Sequence, residues 1–311
     1  MIKKLGLQID HPSSLNYSSD SSVLIAKYAS SKNFEVWTYQ PSDLFFKDGK
    51  VWVKAHLTAF TNEPPFYNFI FSEVIKLEDF EIILIRQDPP FNFEYLTACY
   101  LMKSVKHTKI FNSPDFLISN PEKIIPLYFS YLMPKTLITD NLQLLEEFIT
   151  RERKVILKPL YSYAGKGINL ITPSDFHLLP DLIVNYKTSY GNLPVIAQKY
   201  LPSVMEDGDV RVIMSFDKII TCFKRIPEGG KVIANLAQGG TAHKHILTTS
   251  QLEICNEIGK FLKKNNCLFA GIDLIEDNLI EVNVTSPTGL ITANSLYNQK
   301  FEEIIFSGLF S

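Results

Sequence analysis

Residues 268–284 read LFAGIDLIEDNLIEVNV, two runs of apolar residues separated by three polar ones. The apolar runs predict strands over Leu268–Ile275 and Leu279–Val284, and Glu276-Asp277-Asn278 is typical of a tight turn between them. We therefore expect an antiparallel hairpin. A hairpin fixes the register of its two strands, so it also decides which polar side chains face one another.

The hairpin carries three side-chain oxygen donors. Side chains alternate along a strand, so Glu281 and Asn283 share one face, and a tight hairpin brings Asp273 opposite them. Oxygen donors among apolar residues cost desolvation energy unless they are paired or bind a cation, and an all-oxygen set suits Mg²⁺ with phosphate as a further ligand. A solvated sheet edge is the alternative. A glycosidase-like carboxylate pair is disfavoured because of Asn283 and the lack of an aromatic sugar platform.

A lysine ends a second apolar run. The segment Val155-Ile156-Leu157-Lys158-Pro159 is followed by the small-residue loop YSYAGKGI, residues 161–168. A lysine in this position is costly unless its charge meets an anion, and the N–H groups of such a loop can bind phosphate oxygens. The loop matches neither the Walker A nor the dinucleotide-binding pattern, so a phosphate site and a purely structural loop both remain open.

Arginine is rare in this chain, with five residues against 26 lysines. Arg211 lies on the strand predicted over Asp209–Phe216, and Arg225 ends the next strand. Guanidinium groups on adjacent strands suit bidentate binding of phosphate or carboxylate. Ion pairs with Asp209 or Glu228 at a sheet edge are the alternative.

The composition excludes several classes of protein. The chain has 311 residues, 46% of them hydrophobic, and a net charge of −2, so it lacks the positive field that holds nucleic acid or an anionic membrane. Its longest apolar runs, such as Ile82–Ile85, are far shorter than a membrane-spanning helix. Its four cysteines include no C-x-x-C pair, which excludes zinc ribbons and redox dithiols. We expect a cytoplasmic protein whose partners are small molecules, with no nucleic acid and no membrane among them.

Strands and helices alternate along the first part of the chain, which predicts an α/β fold that opens with a Rossmann-like parallel sheet. We expect three domains, over residues 1–121, 122–203 and 204–311. Predicted helices cover Asp20–Ser31, Glu94–Lys106, Pro121–Ser130, Asn141–Arg151 and Gln251–Lys264. Further strands are predicted over Lys4–Ile9, Phe34–Tyr39, Lys50–Leu57, Phe80–Ile85, Lys154–Leu157, Gly167–Ile171, Val195–Tyr200 and Lys218–Lys224. The segment Ile226–Thr241 contains four of the 14 glycines and is interpreted as a loop able to close over a site.

These motifs, in this order, resemble the ATP-grasp superfamily and, within it, the bacterial glutathione synthetases. The resemblance extends over essentially the whole chain. It rests on RQDPPF at 86–91, NPEK at 120–123, ILKPL at 156–160, DGDVRV at 207–212, RIPEGG at 225–230, NLAQGG at 235–240 and EVNVTSPT at 281–288.

The resemblance implies an ATP-dependent carboxylate–amine ligase that joins glycine to γ-glutamylcysteine through an acyl phosphate and releases glutathione, ADP and phosphate. It implies that ATP lies between two α+β lobes, with an N-terminal substrate-binding domain beside them. It also implies two magnesium ions, which manganese can replace, and a homotetramer. The alternatives are another ATP-grasp carboxylate–amine ligase and a catalytically silent ATP-binding regulatory module.

The resemblance also implies roles for individual residues. The implied magnesium ligands are Asp273, Glu281 and Asn283. The residues implied to act on the transferred phosphoryl group and the acyl phosphate are Arg211, Arg225, Gly239 and Gly240. The implied nucleotide contacts are Lys123, Lys158, Gly165, Lys166, Gly167, Gln198, Lys199, Tyr200, Leu201 and Asp209. The implied peptide-substrate contacts are Asp20, Ser21, Arg86, Asn235, Ser286 and Thr288.

Two segments depart from the family pattern. Residues 161–165 read YSYAG where the family has Asp-Gly-x-Gly-Gly, and Thr241 stands where the family has arginine after Gly-Gly. We expect the contacts of that arginine to be lost or to be supplied by Lys244, His243 or His245.

Overall fold

The computed structural model describes residues 3–227 and 239–310, which form three β-sheets flanked by helices. The first sheet contains the strands β1 (Lys3–Gln8), β2 (Phe34–Tyr39), β3 (Leu44–Lys47), β4 (Lys50–Phe60), β5 (Tyr67–Lys76), β6 (Ile82–Ile85) and β7 (Lys109–Phe111). Its order is β3-β4-β2-β1-β6-β7, and β5 also pairs with β4. The strands β2, β1, β6 and β7 run parallel, whereas β3, β4 and β5 form an antiparallel meander.

The predicted parallel sheet is confirmed for β2, β1, β6 and β7, and the antiparallel strands β3, β4 and β5 extend it on one side. The strand predicted at Lys50–Leu57 is confirmed and extends to Phe60. The sequence analysis missed β5, where Ile70, Phe71 and Val74 are 57%, 49% and 51% exposed. Because apolar side chains of β5 remain exposed, the strand lacks the alternation that identifies a half-buried strand.

Helices begin near the carboxyl ends of the parallel strands. They are α1 (Ser21–Ser31), α2 (Phe93–Lys103) and α3 (Pro114–Ser119). The Asp20 carboxylate caps α1 by accepting hydrogen bonds from the N–H groups of Ser22 and Val23 at 2.6 and 3.3 Å. Such a cap satisfies N–H groups that have no partner within the helix. The helix predicted at Pro121–Ser130 is confirmed in part: the segment begins with a turn and continues as a 3₁₀ helix at Ile125–Leu132.

The second sheet is antiparallel, in the order β10-β9-β11-β8. Its strands are β8 (Thr136–Thr139), β9 (Val155–Pro159), β10 (Asn169–Ile171) and β11 (Val195–Lys199), and its helices are α4 (Leu142–Glu152) and α5 (Leu179–Tyr190). Leu145, Phe148, Leu157, Ile183 and Ala197 belong to a hydrophobic core that is built within this part of the chain alone. The second sheet therefore has a hydrophobic core of its own, and a small cluster that includes Ile156, Leu170 and Ile275 joins it to the third sheet.

The third sheet is also antiparallel, in the order β14-β13-β12-β15-β16. Its strands are β12 (Asp209–Ser215), β13 (Lys218–Ile226), β14 (Thr241–Lys244), β15 (Phe269–Ile275) and β16 (Asn278–Asn283). The helices here are α6 (Thr249–Lys264), α7 (Leu290–Tyr297) and α8 (Glu302–Gly308). Leu5 and Ile25 of the first sheet region share one core with Phe223, Leu290 and Ile305, so the first and third sheets form one packed unit.

Candidate active site

A cleft of about 600 Å³ lies where the three sheets meet. Asn16, Ser18, Ser19 and Asp88 line it from the loops that follow β1 and β6, and the second and third sheets supply the other walls. The cleft has the size of a small-molecule site, and it adjoins the carboxyl ends of parallel strands, where open α/β sheets bind ligands. The cleft is the candidate active site.

The predicted hairpin forms one wall of the cleft. Strands β15 and β16 pair antiparallel, and Asp273 lies directly opposite Glu281. The Asn283 Nδ2 atom donates a hydrogen bond to Asp273 Oδ2 at 3.0 Å and another to the Gly271 carbonyl oxygen at 3.3 Å. The three oxygen-bearing side chains therefore converge as the sequence predicts.

The two arginines of the third sheet form ion pairs in this wall. Arg211 Nε and Nη2 donate to Asp273 Oδ1 and Oδ2 at 2.5 and 2.9 Å. Arg225 makes two hydrogen bonds of 2.6 Å to Asp209, and its Nη2 atom also lies 3.0 Å from Asp273 Oδ1. Burial opposes ionisation of Asp273, but the charges and hydrogen bonds of the two arginines outweigh it and lower the pKa of this carboxyl. The ion pair with Asp209, which was the alternative role for Arg225, is thus present. Arg211 and Arg225 nevertheless both line the cleft.

Two buried lysines face the same space. Lys123 Nζ lies 3.1 Å from Glu281 Oε1 and also donates to the Ser162 carbonyl oxygen. Lys158 Nζ donates to Gln198 Oε1 at 3.2 Å and has no carboxylate at ion-pair distance within the described part of the chain. Burial lowers the pKa of Lys158 to about 8. A buried ammonium with only a neutral partner is suited to binding an anion.

The predicted nucleotide contacts divide into two groups. Gln198, Lys199, Tyr200, Leu201, Gly165 and Asp209 line the cleft. Lys166 and Gly167 lie outside the cleft lining. The Lys166 ammonium lies over the Tyr163 ring, 4.2 Å from its centroid and 3.0 Å from its hydroxyl oxygen. The Gly167 carbonyl oxygen accepts a hydrogen bond from the Tyr186 hydroxyl. Tyr163 itself lines the cleft, at the variable third position of the family's Asp-Gly-x-Gly-Gly pattern.

The predicted peptide contacts also divide. Ser286 and Thr288 line the cleft. Asp20 caps α1, and Ser21 Oγ accepts from the Leu290 N–H at 3.4 Å. Arg86 is buried beneath the wall, where it donates to Ser22 Oγ at 3.1 Å and to the Pro287 carbonyl oxygen at 2.9 Å. The structure therefore places Asp20, Ser21 and Arg86 behind the surface of the cleft rather than on it.

Most of the loop predicted at Ile226–Thr241 lies outside the described residues. Gly229, Gly230 and Asn235 fall within residues 228–238, so the predicted closure of this loop stays a prediction. Gly239 and Gly240 precede β14 and do not line the cleft. Thr241 Oγ1 lies 3.0 Å from His243 Nε2, Lys244 Nζ lies 5.6 Å from the centroid of Tyr297, and His245 bonds to Gln251 at 2.9 Å. None of these three basic side chains lines the described part of the cleft, and their predicted replacement of the family's arginine stays a prediction.

Several cleft residues were not singled out from the sequence. They are Asn16, Ser18, Ser19, Asp88, Glu122, Tyr163, Thr285 and Thr292. The polar run at 16–22, in the connection between β1 and α1, is the one local signal that could have identified part of this set. Glu122 and Asp88 are members of the NPEK and RQDPPF segments, but their position in the cleft depends on contacts far away in the chain.

The oxygen donors fit a magnesium ion. Among residues 3–227 and 239–310, no group of three or more His, Cys, Asp or Glu side chains is arranged to hold a metal. Asn283 uses its N–H groups toward Asp273 and Gly271, so its amide oxygen stays available, and Glu281 uses one oxygen for Lys123. Mg²⁺ needs only a few protein oxygens when nucleotide phosphates complete its coordination shell, and this site offers such a small set.

Comparison with known proteins identifies the family. Residues 3–117 match the N-terminal domain of prokaryotic glutathione synthetases, and residues 122–298 match their ATP-grasp domain. The chain belongs to the prokaryotic glutathione synthetase family. The glutathione synthetase of Escherichia coli (strain K12) is 35% identical over 291 residues, which cover 92% of this chain and 90% of that protein. The glutathione synthetase of Prochlorococcus marinus (strain MED4) is 34% identical over 303 residues, 97% of each chain.

Solved structures agree on the fold. A crystal structure of a D-cycloserine synthetase superimposes with a TM-score of 0.67 at 12% identity, covering 98% of this chain and 99% of its own. An ATP-grasp ligase of Chryseobacterium gregarium gives 0.65 at 16% identity, with 99% and 95% coverage. The ATP-grasp fold expected from the resemblance is confirmed, and this member of the family is an ATP-dependent ligase.

Proposed function

We propose that this ligase makes glutathione from γ-glutamylcysteine, glycine and ATP in the cleft between the three sheets. The observation that carries the proposal is the set of four cationic side chains, Lys123, Lys158, Arg211 and Arg225, facing one cleft beside the oxygen donors of β15 and β16. Phosphoryl transfer requires mainly positioning and charge neutralisation, which such a set provides. The kinship with enzymes named glutathione synthetase supports the choice of peptide and amine.

The nucleotide is proposed to lie between the second and third sheets. In this arrangement the segment 198–201, at the end of β11, binds the adenine, and the ammonium groups of Lys123 and Lys158 bind phosphate oxygens. The support for this arrangement is that all these residues line the cleft and that Lys158, among the residues the structure describes, has only the neutral side chain of Gln198 as a hydrogen-bond partner. A phosphate group would supply the counter-charge that the buried ammonium lacks.

Asp273, Glu281 and Asn283 are proposed to hold two magnesium ions together with the phosphates, and Mn²⁺ is expected to substitute. When bound, the metal neutralises negative charge on the nucleotide and on the transferred group. The protein's own cations complete the task. Arg225 is oriented by the two hydrogen bonds that it donates to Asp209, so its guanidinium is held in place before the substrates arrive.

The reaction proceeds in two displacements. A cysteinyl carboxylate oxygen attacks the γ-phosphorus of ATP, the bond to the bridging oxygen breaks, and ADP leaves. The glycine amine then attacks the acyl carbon, phosphate leaves with the electron pair of the broken C–O bond, and the amine loses a proton. Arg211 and Arg225 bind the negative charge that moves onto the phosphoryl oxygens. No covalent bond to the enzyme forms.

Trapping of the acyl phosphate tests this proposal. With ATP, γ-glutamylcysteine and hydroxylamine but no glycine, we expect a hydroxamate at the cysteinyl carboxyl and one ADP per hydroxamate. Arg225→Met should form it far more slowly, while the surface change Arg151→Met should not alter the rate. A wild-type enzyme that makes tripeptide but never yields the hydroxamate, or yields it at a glutamyl carboxyl, would contradict the acyl-phosphate route.

The organisation of the chain completes the proposal. We propose domains at residues 1–121, 122–203 and 204–311, because each range contains one of the three sheets.

A homotetramer and a cytoplasmic location are proposed from kinship alone. In the described residues, no helix is long and apolar enough to cross a membrane. Sedimentation of the purified protein tests the tetramer, and a monomer at assay concentration would contradict it.

A further inference from the structure

Glu122 is a half-buried carboxylate that the reaction described above does not use. Its Oε1 atom accepts three hydrogen bonds: from the Val284 N–H at 2.7 Å, the Thr285 N–H at 2.9 Å and the Thr285 hydroxyl at 2.8 Å. These donors are 162 and 163 residues away in the sequence. Glu122 therefore ties the start of the second sheet region to the loop that follows β16.

That loop, residues 284–288, connects two parts of the candidate site. It begins directly after Asn283 on β16, and its residues Ser286 and Thr288 line the cleft. The backbone of Val284 is held from both sides, because its carbonyl oxygen accepts from Asn112 Nδ2 at 2.6 Å while its N–H donates to Glu122. The path of the loop thus depends on the Glu122 carboxylate.

The neighbouring residue makes a matching contact. Lys123 Nζ lies 3.1 Å from Glu281 on β16, so residues 122 and 123 hold the strand and its loop at two points. The other acids in this wall, Asp209, Asp273 and Glu281, each pair with an arginine or a lysine. Glu122 makes no ion pair within the described residues, and its hydrogen-bond partners there are neutral donors. This partner set is suited to holding a loop rather than to balancing a charge.

Resting on the proposed function, we propose that Glu122 is a positioning residue for the ligation reaction. It acts through the loop 284–288: it sets where Ser286 and Thr288 meet the peptide substrate and keeps Asn283 aligned at the end of β16. A charged acceptor makes stronger hydrogen bonds than a neutral one, and three donors on one oxygen depend on that charge. A small displacement of a substrate-positioning loop is enough to slow a reaction strongly.

Two nearly isosteric variants test the proposal. Glu122→Gln keeps an oxygen acceptor but removes the charge, and Thr285→Val removes one of the three donors. For Glu122→Gln we expect the KM of the dipeptide to rise about tenfold and kcat to fall about tenfold, with the KM of ATP changed less than about twofold. Thr285→Val should also raise the KM of the dipeptide and lower kcat, but by smaller factors than Glu122→Gln. In the double variant the two effects should be non-additive, because both act on one hydrogen-bond cluster.

Glu302→Gln is the matched control. Glu302 is a buried carboxylate, it accepts a hydrogen bond from Asn294 Nδ2 at 2.6 Å, and it lies outside the cleft lining. We expect this change to lower Tm and to leave both KM values as in the wild type. If Glu122→Gln behaves in the same way, its role is structural only and the proposal is wrong. If Glu122→Gln does not fold, an unchanged dipeptide KM in Thr285→Val overturns the proposal. A wild-type protein that makes no tripeptide in this assay would contradict the proposed function instead.

Discussion

Arg211 and Asp273 lie directly opposite one another on neighbouring antiparallel strands and form a two-point ion pair, with donor–acceptor distances of 2.5 and 2.9 Å. This pair joins a residue proposed to bind the phosphoryl group to a residue proposed to bind Mg²⁺. A cation that binds Asp273 must share its oxygens with Arg211. We therefore expect metal affinity and phosphoryl transfer to change together when either residue is altered.

Arg211→Lys should separate charge from geometry. Lysine keeps the positive charge but cannot make the two parallel hydrogen bonds to Asp273. We expect kcat to fall about 100-fold, the scale found when one donor to a developing charge is removed. Steady-state kinetics at saturating substrates measures the effect. Arg151→Lys, at an exposed arginine, is the control, and a kcat for Arg211→Lys within twofold of that control would disprove the assigned role.

Glu281→Gln should impair metal use without unfolding the protein. The change removes a carboxylate that is proposed to bind Mg²⁺ and that pairs with Lys123 at 3.1 Å. We expect turnover to fall by about 100-fold or more and the Mg²⁺ concentration for half-maximal rate to rise, since an amide binds the cation more weakly. A Mg²⁺ titration of activity, with Tm recorded beside it, measures both. Glu303→Gln on the exposed face of α8 is the control, and an identical titration curve would rule out the metal assignment.

The affinity for ATP should depend on pH through Lys158. Its pKa in the free protein is lowered by burial to about 8, so the ammonium is present below pH 8 and is lost as the pH rises through that value. Phosphate favours the charged form, so binding above pH 8 must take up a proton, and Kd should rise by up to about tenfold per pH unit.

Calorimetric titration with ATP between pH 7 and 9 measures this dependence. Lys158→Arg keeps its charge throughout, so its Kd should vary less with pH. Lys154→Arg, at an exposed lysine next to the same strand, should behave as the wild type does. The interpretation fails if Lys158→Arg retains the full pH dependence of the wild-type Kd.

Arg86→Met should act on the peptide site from behind. The guanidinium donates to Ser22 and to Pro287, and Pro287 lies between the cleft residues Ser286 and Thr288. We expect a loss of about 2–4 kcal/mol in unfolding free energy, because buried partners are left without a donor. The KM of the dipeptide should rise more than that of ATP. Urea denaturation and initial-rate kinetics measure the two effects, and equal changes in both KM values would place the influence of Arg86 elsewhere.

Local patterns in the sequence predicted the elements that build the site. The hairpin of β15 and β16 followed from two apolar runs and a turn, and its alternation predicted that Asp273 would face Glu281. The helix predicted over Asp20–Ser31 is confirmed as α1, Ser21–Ser31, with Asp20 as its N-terminal cap. In each case the information lies within about 20 residues, where strand alternation and helix capping act.

Long-range contacts were beyond reach of the same reasoning. Arg86 follows a buried strand, which favoured a place in the cleft, yet its side chain packs under Pro287, 201 residues away. The junction of Glu122 with Val284 spans 162 residues and has no local pattern. Lys166 was expected to contact the nucleotide, but its ammonium lies over the ring of Tyr163 and outside the cleft lining. Which way a side chain turns at the end of a strand depends on what the rest of the chain places beside it.

Product analysis with a panel of amines tests the central claim most directly. Purified enzyme is incubated with ATP, Mg²⁺, γ-glutamylcysteine and one of several amino acids, and phosphate and tripeptide are measured together. We predict that glycine gives the highest kcat/KM and a ratio of phosphate to glutathione close to one. Thr241, at the position where the family has arginine, makes the choice of amine the sharpest part of the test. Preferred ligation of another amine, or phosphate release without glutathione, would contradict the claim that this enzyme is a glutathione synthetase.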